Sequence, residues 1–137
     1  MNIGPRMGVS LALTTLVVPD YDAGIAFCVG GLGFDLIEDT AMGGGKRWVV
    51  VGGENGGRLL LAKAVNDAQT AAIGNQTGGR VGFFAHTDDF AATQARLVDA
   101  GVQFQEQPRH EAYGTVAVFS DPFGNRWDLI EPKVLSQ

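Results

Sequence analysis

The chain repeats itself at a spacing of 68 residues, and this repeat limits the folds open to it more than any other feature. Residues 20–62 align with the second copy without a gap, and the apolar positions stay in register. The identical pairs include Asp20 and Asp88, Ala23 and Ala91, Gly33 and Gly101, Gly56 and Gly124, Arg58 and Arg126, and Leu61 and Leu129. A repeat of this length predicts two copies of one supersecondary unit that pack against each other.

Each copy predicts the order strand, helix, strand, strand, strand. The first strand is an apolar run, and the later strands show the alternation that is typical of half-buried strands. The predicted strands are residues 11–18, 34–38, 47–51 and 58–62 in the first copy, and 81–87, 102–105, 113–119 and 126–130 in the second. The last two strands of each copy are joined at 52–57 and 121–125 by the Gly, Asn and Asp residues that tight hairpins favour.

The helix of each copy has a predicted start and end. Asp20 and Asp88 follow the first strands, and we expect them to accept hydrogen bonds from the free N–H groups of the first helical turn. Gly33 and Gly101 follow the last turn, where a residue with positive φ is favoured. The predicted apolar faces consist of Tyr21, Ile25, Cys28, Val29 and Leu32 in the first helix, and of Phe90, Leu97 and Val98 in the second.

Composition and charge exclude several classes of protein. Of the 137 residues, 45% are hydrophobic and 18% are charged, so the chain is long and apolar enough to fold around a core. Its net charge of -5 excludes the basic surface of a nucleic-acid-binding protein. No stretch approaches the roughly 20 apolar residues of a membrane helix. Because Cys28 is the only cysteine, no internal disulfide forms, and we expect a reducing, cytoplasmic compartment.

The paired units and the closing segment of the second copy indicate a known family. Residues 121–131 read DPFGNRWDLIE. This segment and the layout of residues 11–132 resemble the vicinal oxygen chelate superfamily, which includes glyoxalase I, extradiol dioxygenases, and bleomycin- and fosfomycin-resistance proteins. The resemblance implies an α+β fold in which two tandem βαβββ modules form a cupped mixed sheet. It implies one domain over 1–137, with module one at about 11–63, a linker at about 64–79 and module two at about 80–133.

The metal site of that family requires ligands that this sequence lacks at most of the corresponding positions. Its members hold a divalent metal with His, Glu or Gln side chains from the first and last strands of each unit, and the metal acts as a Lewis acid or activates dioxygen. The resemblance places the four ligands near Leu13 or Thr14, near Leu60, near Val81 or Gly82, and at Asp128. Only Asp128 carries a metal-binding group, whereas such a site needs about three or four. We therefore expect no cofactor, although His86 and Asp128 together would bind a metal weakly.

The same resemblance indicates which residues line the cup. Large or polar residues on its strands are candidates for ligand binding, because pockets for small organic molecules combine aromatic walls with a few polar groups. The candidate ligand-binding residues are Arg47, Trp48, His86 and Trp127. Asp128 and Tyr113 are the candidate catalytic residues, with Tyr113 as an acid or hydrogen-bond donor. Plainer interpretations stand beside these: the tryptophans as core or dimer-interface residues, and His86 as a polar residue at a strand end.

Three functions remain open on these observations. The first is a cytoplasmic homodimer that binds a small organic molecule in the cup without a catalytic metal, as the drug-sequestering members of the family do. The second is an enzyme, either a glyoxalase I-like lyase, an isomerase or an extradiol dioxygenase-like protein, that uses Asp128 and His86 in an altered site. The third is a domain that only pairs with another protein. None of the three involves nucleic acid or a membrane.

Overall fold

A computed structural model of the chain describes residues 8–133. Its elements are β1 (Thr14–Val18), α1 (Tyr21–Ile25), a π-helical segment (Ala26–Gly31), β2 (Asp35–Gly43), β3 (Lys46–Gly52), β4 (Arg58–Lys63), α2 (Asp67–Ala72), β5 (Val81–His86), α3 (Phe90–Asp99), β6 (Gln103–Phe104), β7 (Arg109–Glu111), β8 (Gly114–Ser120) and β9 (Arg126–Pro132). No helix within the described residues combines the length and the apolar character needed to cross a bilayer.

The strands form two sheets with the same plan. In module one the order is β1-β4-β3-β2, and in module two it is β5-β9-β8-β6, with β7 also paired to β8. The first strand of each module runs parallel to the last, and the other pairs are antiparallel. The predicted α+β fold, with its duplicated βαβββ unit, is therefore confirmed.

The two modules share one hydrophobic core. Apolar residues from both sheets and both helical regions belong to a single buried cluster. Phe27, from the helix of module one, lies with its ring centroid 5.4 Å from that of Trp127 and 6.3 Å from that of Phe119, both in module two. Each sheet thus has a core face, which meets the helices, and an opposite face, which we call its outer face. Leu60 lies on the outer face of module one, and Asp128 lies on that of module two.

The two helices begin one position out of register with the repeat. Asp20 caps α1, since its Oδ1 accepts a hydrogen bond of 2.7 Å from the N–H of Ala23. The prediction that Asp88 caps the second helix is wrong, because Asp89 does so and its Oδ1 accepts a bond of 3.0 Å from the N–H of Ala92. Both helices end at the repeated glycines, so the helix of module one holds one residue more than that of module two.

The π-helical segment accommodates the extra residue. Over Ala26–Gly31 the backbone hydrogen bonds span one residue more than in an α-helix, as where the N–H of Leu32 donates to the C=O of Phe27 at 2.9 Å. The wider turn brings Phe27 into the core, although the α-helical period of apolar residues does not select it. Gly33 and Gly101 end the helices with φ of 82° and 89°, as predicted.

Some strands depart from their predicted bounds: in module one the first begins at Thr14 and not at residue 11, and the second extends to Gly43 and not to residue 38. Module two departs from its predicted pattern in α3 and around β6 and β7. Val98 lies outside the buried face of α3, where its side chain is 54% exposed. The strand predicted at 102–105 shortens to Gln103–Phe104. Beyond it the carboxylate of Glu106 accepts the N–H of Val118 at 2.9 Å, a bond that a continuous strand would supply from its backbone. The chain then returns to the sheet as β7.

The motif between β8 and β9 is a hydrogen-bonded turn. The carboxylate of Asp121, which is 4% exposed, accepts bonds of 2.9 Å from the backbone N–H groups of Phe123, Gly124 and Asn125. It also accepts bonds from the side chains of Asn125, at 3.0 Å, and Trp127, at 2.9 Å. The segment that carries the family resemblance thus has a structural role, because it joins the last two strands and holds the Trp127 ring in the core.

Candidate functional site

A groove of about 570 Å³ lies between the β3–β4 hairpin and strand β5. It contacts all five residues of 82–86, whose side chains point alternately to the two faces of the sheet. A cavity that contacts both faces of one strand must run along the edge of that strand. In the described part of the chain β5 pairs with β9 alone, so this edge is open to the groove.

The walls of the groove are mostly apolar and aromatic. Phe34 and Phe84 line it, and Phe84 is 64% exposed. On the hairpin side, no residue beyond the chain neighbours of Gly56 and Gly57 comes within 4 Å of where their Cβ atoms would stand, so the hairpin presents bare backbone to open space there. A volume within the roughly 300–1,000 Å³ of small-molecule sites, with an aromatic wall facing a glycine-lined one, suits a small organic ligand.

His86 and Trp127 both border this groove, but in different ways. His86 is exposed at the end of β5. Trp127 is 2% exposed, and its ring stacks between Phe83, at 4.7 Å, and Phe119, at 5.8 Å. Trp127 is therefore a core residue, which is the plainer of its two interpretations. It supports the strand that forms the groove.

Arg47 and Trp48 lie at a second cavity, of about 430 Å³, lined by module one and the start of the linker. The guanidinium of Arg47 donates to Asp39 at 2.7 Å and to Asp22 at 3.0 Å, and it lies 5.2 Å above the ring of Tyr21. These hydrogen bonds lower the pKa of Asp39 below its ordinary value. Because Arg47 is held by three groups of its own chain, it shapes the cavity wall more than it offers free donors.

Asp128 lies on the outer face of module two, opposite Phe84 of β5 and Val118 of β8. Burial raises its pKa above the ordinary value, and the carboxylate of Glu106 adds to this, while Arg109 and Arg126 act against it. Its Oδ1 is buried and has no hydrogen-bond partner among the described residues, and the same is true of the Nε of Arg126. This face therefore presents one unused acceptor and one unused donor.

Charged side chains form a network beside Asp128, and they were not among the candidate site residues that the sequence predicted. Glu106 accepts a bond of 2.9 Å from the Nε of Arg109, and Arg109 also donates to Glu111 at 2.6 Å. The alternation of acidic and basic residues at 106–111 was a signal for this network, but a solvated loop has the same pattern. Tyr113, the predicted catalytic acid, is 56% exposed just before β8.

His86 and Asp128 do not face each other directly. In the sheet register His86 lies opposite Ile130, while Asp128 lies opposite Phe84. The two predicted partners thus share the outer face as diagonal neighbours, and the exposed ring of Phe84 stands beside both. No hydrogen bond joins them among the described residues.

The residues present do not fit the metal site of the resembling family. On the outer faces, the first-strand positions beside Leu60 and Asp128 are Thr15 and Phe84, not the positions near Leu13 or Thr14 and near Val81 or Gly82 that the resemblance implied. Neither residue supplies a carboxylate or an imidazole. Within residues 8–133 no three or more His, Cys, Asp or Glu side chains come close enough together to hold an ion.

Comparisons with known proteins agree with the fold. A sequence profile of the Glyoxalase/Bleomycin resistance protein/Dioxygenase superfamily matches residues 10–129. An uncharacterized protein of Shewanella frigidimarina (strain NCIMB 400) is 50% identical over 125 residues, which are 89% of this chain and 93% of that protein.

Two solved structures are similar along almost their whole length. UcmS2 is 30% identical with a TM-score of 0.73, covering 91% of this chain and 99% of that one. TnmS3, an antibiotic binding protein from Streptomyces sp. CB03234, is 29% identical with a TM-score of 0.70, covering 94% of this chain and 100% of that one.

Proposed function

The chain belongs to the Glyoxalase/Bleomycin resistance protein/Dioxygenase superfamily, and from that premise we propose that it binds a small organic molecule without a catalytic divalent metal. The observation that carries the proposal is the groove of about 570 Å³ along β5, with Phe34 and Phe84 in its walls and His86 and Arg58 as polar groups. The likeness to an antibiotic binding protein supports it. A planar, aromatic, antibiotic-like molecule is the ligand class that these walls favour.

A thermal-shift screen against aromatic antibiotics and simpler aromatic compounds tests the proposal. A ligand that binds the folded state raises the melting temperature with its concentration. For any hit, Phe84→Ala should weaken binding about tenfold or more, because it removes an exposed aromatic wall. Val98→Ala is the matched control, since Val98 is also apolar and exposed but lies on α3, outside the groove. A panel without hits, or equal affinities in both variants, would contradict the proposal.

The metal-free part of the proposal has its own test. The protein is purified without chelators, and its metal content is measured by mass spectrometry. We expect far less than one equivalent of Zn, Ni, Mn or Fe, because only Asp128 occupies a position of the family's ligand set. Near-stoichiometric metal would overturn this part and leave the binding proposal to stand on the screen.

We also propose that the protein works as a cytoplasmic homodimer. All nine residues of β2 are exposed, and its apolar side chains Leu36, Ile37 and Met42 are 44%, 37% and 55% exposed. A long edge strand with exposed apolar side chains is a surface that proteins usually cover. Among the described residues, the cavity at Trp48 is lined by module one and the linker, so a dimer formed on this side would bring residues of a second chain to it. Light scattering coupled to gel filtration should give twice the chain mass, and a monomer would refute the dimer.

Catalysis is the second candidate function, favoured by Asp128. Its Oδ1 has no hydrogen-bond partner among the described residues and its pKa is raised, and both properties suit a general acid. Tyr113 lies on the same module as a second proton donor. The reaction would be that of a lyase, isomerase or dioxygenase of the superfamily with an altered site. Asp128→Ala should then abolish turnover of any substrate that the screen finds, and an unchanged rate would remove Asp128 from this role.

A further inference from the structure

Residues 8–133 cover the free edge of one first strand and leave the other open. Along β1 the side-chain amide of Gln76 takes the place of a neighbouring strand. Its Oε1 accepts the N–H of Val17 at 3.0 Å, and its Nε2 donates to the C=O of Thr15 at 2.7 Å. One carboxamide thus satisfies one donor and one acceptor on a strand edge. Among residues 8–133, no side chain makes the corresponding pair of bonds on β5.

The repeat identifies the corresponding atoms on β5. Leu16 lies opposite Leu61, and Ala85 lies opposite Leu129. Because Leu61 and Leu129 are partners in the repeat and fill the same place in their sheets, Leu16 and Ala85 do so as well. The first strands therefore correspond at a spacing of 69 residues, one more than the strands that close each module.

At this spacing Phe84 takes the place of Thr15, and His86 takes the place of Val17. The N–H of Thr87 donates to β9 at 2.9 Å, so every second residue back along the strand also points its backbone groups towards β9. The N–H of His86 and the C=O of Phe84 point the other way, to the free edge. This is the donor and acceptor pair that Gln76 occupies on β1.

That edge is the floor of the groove, so the pair is available to a bound molecule. The ring of Phe84 stands beside it on the outer face, and the glycine-rich hairpin lies across the groove. A ligand that entered the groove without hydrogen-bonding groups would leave both backbone groups without partners. Leaving these two groups unpaired lowers the affinity by more than pairing them raises it.

We propose that the ligand of this groove carries an amide whose N–H and C=O lie on the same side, as in a lactam or a primary carboxamide, and that it pairs with the N–H of His86 and the C=O of Phe84. The inference rests on the proposed function and adds the chemical class of the ligand. An open-chain secondary amide in its trans form directs its two groups to opposite sides, so it makes only one of the two bonds. A lactone or an ester keeps the acceptor but lacks the donor.

A matched pair of planar probes separates these cases. Isoquinolin-1(2H)-one is a lactam, and isocoumarin is the lactone of the same size and shape. Titration by ¹⁵N–¹H NMR gives the dissociation constant of each probe and shows which amide signals move. We expect the lactam to bind about tenfold or more tightly than the lactone, because the lactone leaves a strand acceptor unpaired. The His86 N–H signal should shift downfield with the lactam.

Two variants at one position isolate the backbone donor. His86→Pro removes the N–H, and proline is tolerated where an edge strand points its N–H outward. His86→Ala removes the imidazole and keeps the N–H. The preference for the lactam should fall at least severalfold in His86→Pro and persist in His86→Ala. If His86→Pro does not fold, the shift of the His86 N–H signal in the unaltered protein still decides whether the lactam pairs with this donor.

Each outcome bears on one proposal or on both. Equal affinity for the two probes, or a lactam preference that His86→Pro retains, would overturn the amide inference and leave the binding function standing. Slow hydrogen exchange at the His86 N–H in the unliganded protein would also overturn it, since a second chain would already cover the edge. Absence of binding by these probes and by the wider screen would overturn both proposals.

Discussion

The indole Nε1–H of Trp127 donates a hydrogen bond of 2.9 Å to the buried carboxylate of Asp121. This bond fixes the ring that stacks on Phe83, and Phe83 belongs to the strand that forms the floor of the groove. A turn between two strands thereby supports the shape of a groove that it does not line. Substitution of Asp121 should lower the stability of the fold, and it should weaken binding only through that loss of stability.

Asp121→Ala should destabilise the protein by about 3 kcal/mol, because five N–H bonds lose their acceptor in a buried place. Urea unfolding monitored by circular dichroism measures the loss. Trp127→Phe is the control, since it removes one donor and keeps most of the ring, and it should cost less. A loss below about 1 kcal/mol for Asp121→Ala would contradict the structural role of this turn.

Cys28 should not react with thiol reagents while the protein is folded. It is fully buried, and burial, with a smaller effect from the carboxylate of Asp121, raises its pKa to about 12, so almost no thiolate exists at pH 8. Ellman's reagent measures the reaction in native protein and in guanidinium chloride. The double variant Cys28→Ala with Gly30→Cys is the positive control, since Gly30 is exposed on the same helix. Equal rates in the two native proteins would refute this.

Arg96 should contribute to the stability of the joined modules. From α3 it donates through Nε to the C=O of Gly31 at 3.0 Å and through a terminal nitrogen to the C=O of Leu32 at 2.9 Å. These carbonyls end the helix of module one and have few other partners. Arg96→Met, which keeps the apolar stem, should cost about 1–3 kcal/mol in urea unfolding. Arg96→Lys should lose less stability. If Arg96→Met leaves the free energy of unfolding unchanged, water replaces the guanidinium at these carbonyls.

The stability difference between Asp128→Asn and the unaltered protein should depend on pH. Because the native-state pKa of Asp128 is raised, its contribution to stability is present below its unfolded-state pKa and is lost as the pH rises through the native value. The neutral variant should therefore be the more stable of the two near pH 7, by less than about 1 kcal/mol since the group is partly exposed. This advantage should shrink below pH 4. A constant difference across a series of melts at pH 3 to 8 would contradict the shift.

The sequence predicted the plan of the fold because the repeat relates the two copies residue by residue. It could not show which face of β9 joins the core, since Trp127 and Asp128 are both large and alternation permits either face inside. The strands pair across long separations, and only that pairing placed Trp127 inward and Asp128 outward. Of the predicted site residues, His86 stands at the groove and Arg47 at a separate cavity.

Contacts between distant parts of the chain were beyond the reach of the sequence. Gln76 bonds to β1 across about 60 residues, and nothing in its local pattern distinguishes it from other polar linker residues. The one-residue difference between the helices was hidden as well, because a shift of 68 pairs Asp20 with Asp88 and fits the closing strands, although the first strands and the helix caps correspond at 69. Such shifts become visible only when caps and strand partners are known.

The π-helical segment also carries information about the history of the chain. Two copies that arise by duplication of one segment begin with equal lengths. A one-residue difference between their helices therefore arises after the duplication, by a change in one copy or the other. An α-helical turn that gains one residue widens locally and keeps the helix on either side intact, which is the geometry at Ala26–Gly31. The segment marks the place where the repeat spacing changes from 69 to 68, and this change lies within the helix and outside the strands of the groove.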